Sequence, residues 1–152
     1  MQKILISSCL MGEKVRFDGK SKKVNAEILE IWHAENRLIL LCPEVAGGLL
    51  IPRAAAEIQG SSIVTFAGDD VSKQFDQGAQ KVLEICQQHD IHIAILKEGS
   101  PSCGVIQIND GTFSHSKIAG QGVTTRLLQK HGVKVFSEHQ LNEAQTCLQR
   151  MF

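Results

Sequence analysis

The stretch "IHIAILKEGSPSCG", Ile91 to Gly104, decides the fold. Apart from His92, its first six residues are apolar. A strand with one wet face alternates apolar and polar residues, whereas a strand covered on both faces does not. The run reads as a strand of a parallel sheet with helices on both sides. It ends abruptly in a loop of small residues that presents Cys103 after Ser-Pro-Ser.

Working outward, "KILIS" (Lys3–Ser7), "RLILL" (Arg37–Leu41) and "VKVF" (Val133–Phe136) have the same character. Helical patterns separate them. Asn25 is placed to cap a helix with the apolar stripe Val24, Ile28, Ile31 and Trp32. The clearest helix runs from about Asp70 to His89, with Val71, Phe75, Ala79, Val82 and Cys86 on one face. Gly122–His131 and Glu138–Met151 read as two more, and "SSIVTF" and "VIQIND" as short extra strands. Such alternation predicts an α/β chain: a compact, three-layer, Rossmann-like domain with a mainly parallel sheet. Residues 1–152 form one domain on this reading, with no repeat or linker.

Composition sets outer bounds. At 152 residues, 43% hydrophobic and 21% charged, the chain has the make-up of an ordinary soluble protein. Lys plus Arg equals Asp plus Glu, so no chain-wide basic surface awaits nucleic acid. No apolar run is long enough to cross a bilayer, and "ISSC" lies too near the start to follow a signal segment. These features predict a cytoplasmic protein. In that compartment an odd set of five cysteines points to metal binding, catalysis or burial rather than disulfides.

The cysteines sort by position. Cys86 lies on the apolar face of its helix and Cys147 beside the stripe Leu141, Ala144, Leu148 and Met151, so both read as small buried hydrophobes. Cys9, Cys42 and Cys103 each follow a strand. Parallel strands deliver their following loops to one sheet edge, where ligands bind. The fold therefore gathers three thiols that are distant in sequence. Three thiolates suit a soft centre: zinc, copper(I) or an iron–sulfur cluster. A closed zinc site takes four ligands, commonly from paired Cys-x-x-Cys hooks, which are absent here. Three ligands leave an open position, where metal sites do chemistry.

The flanking residues add functional groups. Glu44 lies two residues from Cys42, placed as an acid or base, and Gly47-Gly48 lets backbone approach a ligand. Arg53 reads as a surface ion-pair partner and Asp18-Gly19 as a turn. Ser100 and Ser102 flank Pro101 beside the third thiol, either satisfying turns or bonding a substrate. "GQGVTT", Gly120–Thr125, reads as a helix start able to take an anion.

"SSCLMGEKVRFDGKSK", "LCPEVAGGLLIPRAAAEI", "LKEGSPSCG" and "GQGVTTRLLQKHGVKVFSE" resemble, in order and spacing, the small bacterial domain family that contains the 2-thiouracil desulfurases. The match spans nearly the whole chain. It implies a 4Fe–4S cluster on Cys9, Cys42 and Cys103, with the fourth iron open to the sulfur of a thiolated pyrimidine. It also implies catalytic roles for Glu44 and Ser100. The expected reaction is hydrolytic and non-redox: water, assisted by Glu44, replaces sulfur, which leaves as sulfide, while Ser100 orients the base or relays a proton. The cluster would come from iron–sulfur assembly machinery and be oxygen-sensitive. Phe17 departs from the pattern, since many relatives have Tyr there. Two other readings stand beside this one. The chain is a cluster- or zinc-binding regulatory or sulfur-carrier module without turnover, or a thiol redox enzyme using these cysteines directly.

Overall fold

A computed structural model describes residues 1–151. Four short strands form a parallel sheet: β1 (Ile4–Ser7), β2 (Leu38–Leu41), β5 (Ile93–Leu96) and β8 (Lys134–Ser137), in the order β2-β1-β5-β8. Two antiparallel hairpins stand beside it, β3 (Ala56–Gln59) with β4 (Ser62–Thr65) and β6 (Gln107–Asn109) with β7 (Lys117–Ala119). The helices are α1 (Glu27–Ala34), α2 (Pro43–Ala46), α3 (Ser72–Gln88), α4 (Val123–Lys130) and α5 (Leu141–Met151).

The unbroken apolar strands have a direct cause. Side chains alternate across a strand, so Ile4, Ile6, Ile93 and Ile95 enter one core with Leu29 and Trp32 of α1 and Ala144 and Leu148 of α5. Leu5, Ala94 and Leu96 enter the opposite core with Val82, Leu83 and Cys86 of α3 and Leu128 of α4. Helices thus cover both faces, and the three-layer α/β architecture is the one expected. Full burial of each Leu or Ile contributes about 1.5–3 kcal/mol; among the described residues, twelve such side chains are buried in the two cores.

Local details differ from the sequence reading. The first helix is capped by Ala26, without a side-chain cap, rather than by Asn25. Its inward residues are Leu29 and Trp32, while Ile31 is 44% exposed. Glu138 precedes the last helix instead of opening it, because its carboxylate is engaged with Lys97 and the Glu98 N–H. "SSIVTF" and "VIQIND" do supply strands, but their partners β3 and β7 carry weak signals: "AEIQ" and "KIA". Among the described residues, no helix is long and apolar enough to cross a membrane.

The sheet order places the reversal of strand direction of travel between β1 and β5. The chain moves from β1 outward to β2, then returns past β1 to β5. At such a point adjacent loops diverge to opposite faces and leave a crevice at the carboxyl ends.

Candidate functional site

Cys9 lies in a 3-10 turn, Ser8–Met11, that continues β1. Cys42 leaves β2 and occupies the N-cap position of α2, with Pro43 in the first helical position. Cys103 sits in the loop after β5. All three line one cavity of about 680 Å³, which also has Glu44 and Ser100 on its wall. The expected gathering of the three strand-exit cysteines therefore occurs, and Cys86 and Cys147 are elsewhere, one in each core's helical layer.

Glycines fix how the loops pack. The short helix α2 crosses α3 in backbone contact: a Cβ at Gly47 would lie 2.0 Å from the Gln74 carbonyl oxygen, and one at Gly78 would lie 2.0 Å from that of Pro43. Gly47 thus serves a helix crossing rather than a ligand. The start of α4 has a comparable duty. Gly122, Val123 and Thr124 donate their N–H groups to the carbonyls of Gly104, Pro101 and Ser102, each at 2.9 Å. Thr125 Oγ1 donates to the Cys103 carbonyl at 3.1 Å. These donors are consumed by the Cys103 loop, so "GQGVTT" clamps that loop instead of receiving an anion.

The same loop is held from within. The Glu98 carboxylate accepts the N–H groups of Gly99, Val105, Ile106 and Gln107 at 2.7 to 3.3 Å. Ser100 Oγ accepts the Cys103 N–H at 2.7 Å, which leaves its own proton available. Ser102 is 1% exposed and shares a 2.9 Å hydrogen bond with Thr124 Oγ1. It satisfies the fold and stays off the cavity wall, so of the two serines only Ser100 faces the cavity.

Four further residues support the site without having been assigned to it from sequence. Ser7, at the end of β1, accepts the Lys97 N–H at 3.1 Å and donates to Cys103 Sγ at 3.7 Å. Its one sequence signal is a hydroxyl closing an otherwise apolar strand. Arg53 is no surface cation: its side chain is 8% exposed, and it donates to Glu44 at 3.0 Å and to the Val15 and Leu50 carbonyls. Lys97 and Glu138 form an ion pair at 2.9 Å from neighbouring strand exits, with Lys97 on the cavity wall. Asp18 forms the expected turn, accepting the Lys20 N–H and pairing with Arg16.

Electrostatics ties these groups together. Burial pushes the Cys9 thiol up to about 11, with the Cys42 sulfur adding to the rise and Lys97 and Arg16 opposing it. Burial also raises Cys42 and Cys103, and each of these is raised further by Glu44. Cys103 additionally feels Cys42, so Cys42 is the electrostatic neighbour of both other thiols. Burial raises Glu44 too, against the opposing pull of Arg53. Reactive cysteines have lowered pKa values, whereas burial shifts these three in the opposite direction.

Among the described residues, no group of three His, Cys, Asp or Glu side chains is arranged to hold a metal ion. A mononuclear zinc site draws its sulfurs to about 2.3 Å from one cation, whereas a cluster spreads its thiolates over several irons. Ser8 Oγ lines the same cavity, is buried, and is the one such side-chain atom among the described residues without a hydrogen-bond partner. Three cysteine sulfurs on one wall, with an orphaned hydroxyl beside them, are a soft donor set of the kind that thiolate-held iron–sulfur centres use.

Comparison with known proteins gives a consistent result. A solved structure of the 4Fe–4S-dependent thiouracil desulfidase TudS superposes with a TM-score of 0.97 at 48% identity, covering 98% of this chain and 99% of that one. The uncharacterized protein YbbK of Bacillus subtilis (strain 168) is 41% identical over 150 residues, which is 92% of this chain and 98% of that protein. The family model for 2-thiouracil desulfurase matches residues 4–140. With the four sheet strands, all three strand-exit cysteines and the Ser-Pro-Ser-Cys loop inside that match, the chain belongs to the 2-thiouracil desulfurase family.

Proposed function

We propose that this protein is a thiouracil desulfurase that removes sulfur from a thiolated pyrimidine hydrolytically and without redox change. The observation that carries the reading is the convergence of Cys9, Cys42, Cys103, Glu44 and Ser100 on one cavity wall. Cys9, Cys42 and Cys103 would hold a 4Fe–4S cluster with one iron open. Bound there, the cluster supplies a Lewis-acidic iron that draws on the thiocarbonyl sulfur.

The chain's own residues do the remaining work. Glu44 takes a proton from water as that water attacks the thiocarbonyl carbon, and Arg53 holds the carboxylate in place during the transfer. Ser100, fixed through the Cys103 N–H, turns its hydroxyl proton toward the base. A C=S bond breaks and a C=O bond forms; water supplies the oxygen, and its two protons leave with sulfur as hydrogen sulfide. No electron enters or leaves. The cluster arrives from assembly machinery in the cytoplasm, and the whole chain acts as one domain.

The test is anaerobic reconstitution followed by incubation with 2-thiouracil. Uracil and sulfide in equal amounts, with no added reductant, support the reading; a stable cluster with no product overturns it. One observation favours a non-catalytic cluster module instead: Glu44 is already engaged by Arg53, which by itself is a structural ion pair. Turnover by the wild-type protein decides between them, and its loss in the Glu44→Gln variant with the cluster intact assigns the role of Glu44.

A further inference from the structure

The two hairpins interlock above the cavity, and the lock is a buried carboxylate. Glu57 of β3 is 7% exposed, and its Oε1 accepts the N–H groups of Gly111 at 3.0 Å and Phe113 at 3.2 Å. Gln59, two residues along the same strand, donates to the Gly111 carbonyl at 2.7 Å. The loop so held, between β6 and β7, is one the backbone resists. Phe113 and His115 have φ values of 55° and 62°, a left-handed conformation uncommon for residues with a Cβ.

The strained residue reaches a useful place. Phe113 lines the cavity that holds the three thiols, and its ring meets Phe66 edge to face with centroids 5.5 Å apart. Phe66 lines it as well and is 78% exposed. Phe113 is half-buried, and aromatic rings on a cavity wall offer π-faces to a planar ring.

We propose that Phe113 is a specificity-determining wall of this site, stacking on a planar heteroaromatic ring, and that Glu57 is the positioning residue that holds it there. This deepens the desulfurase reading and rests on it for the identity of the ring. Glu57 acts through backbone groups of another hairpin and touches no reacting atom.

The test uses cluster-loaded protein under anaerobic conditions, with 2-thiouracil as the probe. Three quantities are read: affinity by calorimetry, the KM and kcat of desulfurisation, and hydrogen exchange at the Gly111 and Phe113 amides. Loss of one stacking face typically weakens ring binding about fivefold or more, so Phe113→Leu is expected to raise Kd and KM by that factor. Its kcat should stay within about twofold, the pattern of lost uniform binding. Glu57→Ala should weaken binding similarly and speed exchange at both amides, while Glu57→Gln keeps an acceptor oxygen and restores both. Wild-type affinity in Phe113→Leu, or loosened amides with unchanged affinity in Glu57→Ala, overturns the proposal. A wild-type protein that binds the ring without turnover sinks the desulfurase reading and leaves the wall standing. One that does not bind the ring at all sinks both.

Discussion

Glu44 combines a largely buried carboxylate with a single strong partner, Arg53 at 3.0 Å, and the two requirements conflict. Burial makes the carboxylate a better proton acceptor, and the guanidinium holds it ionised and in place. Glu44→Gln keeps the shape and removes that charge. A positioned base contributes about 10²–10⁴-fold, and desulfurisation per intact cluster should fall within that range while cluster absorbance stays. Ser100→Ala should lower the rate less, because the Cys103 N–H loses an acceptor but the thiol keeps its loop. For the cysteines, serine replacement at Cys9, Cys42 or Cys103 is expected to abolish iron and sulfide binding, measured by chemical analysis after anaerobic reconstitution. Cys86→Ser and Cys147→Ser should retain it. Iron loss in Cys86→Ser alone would contradict the division between cavity and core. That division was legible in the sequence because helix periodicity separates an inward cysteine from a strand-exit one. The partner of Glu44 was not: Arg53 is nine residues away, and only the folded loop shows that it turns inward.

Among the elements, α2 depends most on a backbone contact. Adding a methyl group where 2.0 Å is available forces α2 and α3 apart. Overpacking of this kind typically costs about 1–3 kcal/mol, so Gly47→Ala should lower the urea midpoint by a corresponding amount. It should also reduce cluster occupancy, because Cys42 caps the displaced helix. A normal iron content in Gly47→Ala would separate the helix crossing from the site. The glycine pair was conspicuous in the sequence, but its neighbour Gly78 lies on another element, and no local pattern pairs them. A second element-scale feature links the exits of β5 and β8. Burial would raise the Glu138 carboxyl, but the hydrogen bond from Lys97 and the Glu98 N–H outweigh it and hold the group below its usual 4.5. A carboxyl lowered on folding stabilises the protein above its unfolded value and loses that contribution as pH falls through the folded one. Urea midpoints from neutral to acid pH should therefore drop less steeply in Glu138→Gln than in the wild type. Parallel curves would show that the pair adds nothing to folding.

At the scale of the whole molecule, the site sits where the strand order reverses, so the cavity opens at the sheet edge rather than inside a core. On the proposed function, an iron left open at such an edge would meet dissolved oxidants. Air should bleach the visible absorbance and stop turnover together, and anaerobic iron, sulfide and reductant should restore both. Activity in an aerobically purified, iron-free sample would refute the cluster reading. The layered architecture was legible from four nearly continuous apolar runs, which two-sided burial explains. The hairpins that roof the cavity were half legible. β4 and β6 show apolar character, whereas β3 and β7 gain their structure from a partner, and Glu57 gives no hint in sequence of the loop it holds.

The arrangement of β2, β1 and β5 as neighbours also sets a timetable for synthesis. A nascent chain that has released β2 already carries Cys9 and Cys42, but it lacks the strand that covers the other side of β1. Until Leu96 has left the ribosome, neither core can close, because Ile93 and Ile95 belong to one and Ala94 and Leu96 to the other. Cys103 follows only seven residues later, and the clamp on its loop waits for α4. Contacts this distant along the chain form slowly. On the proposed function, cluster insertion would thus be a late event, after the Cys103 loop has been clamped.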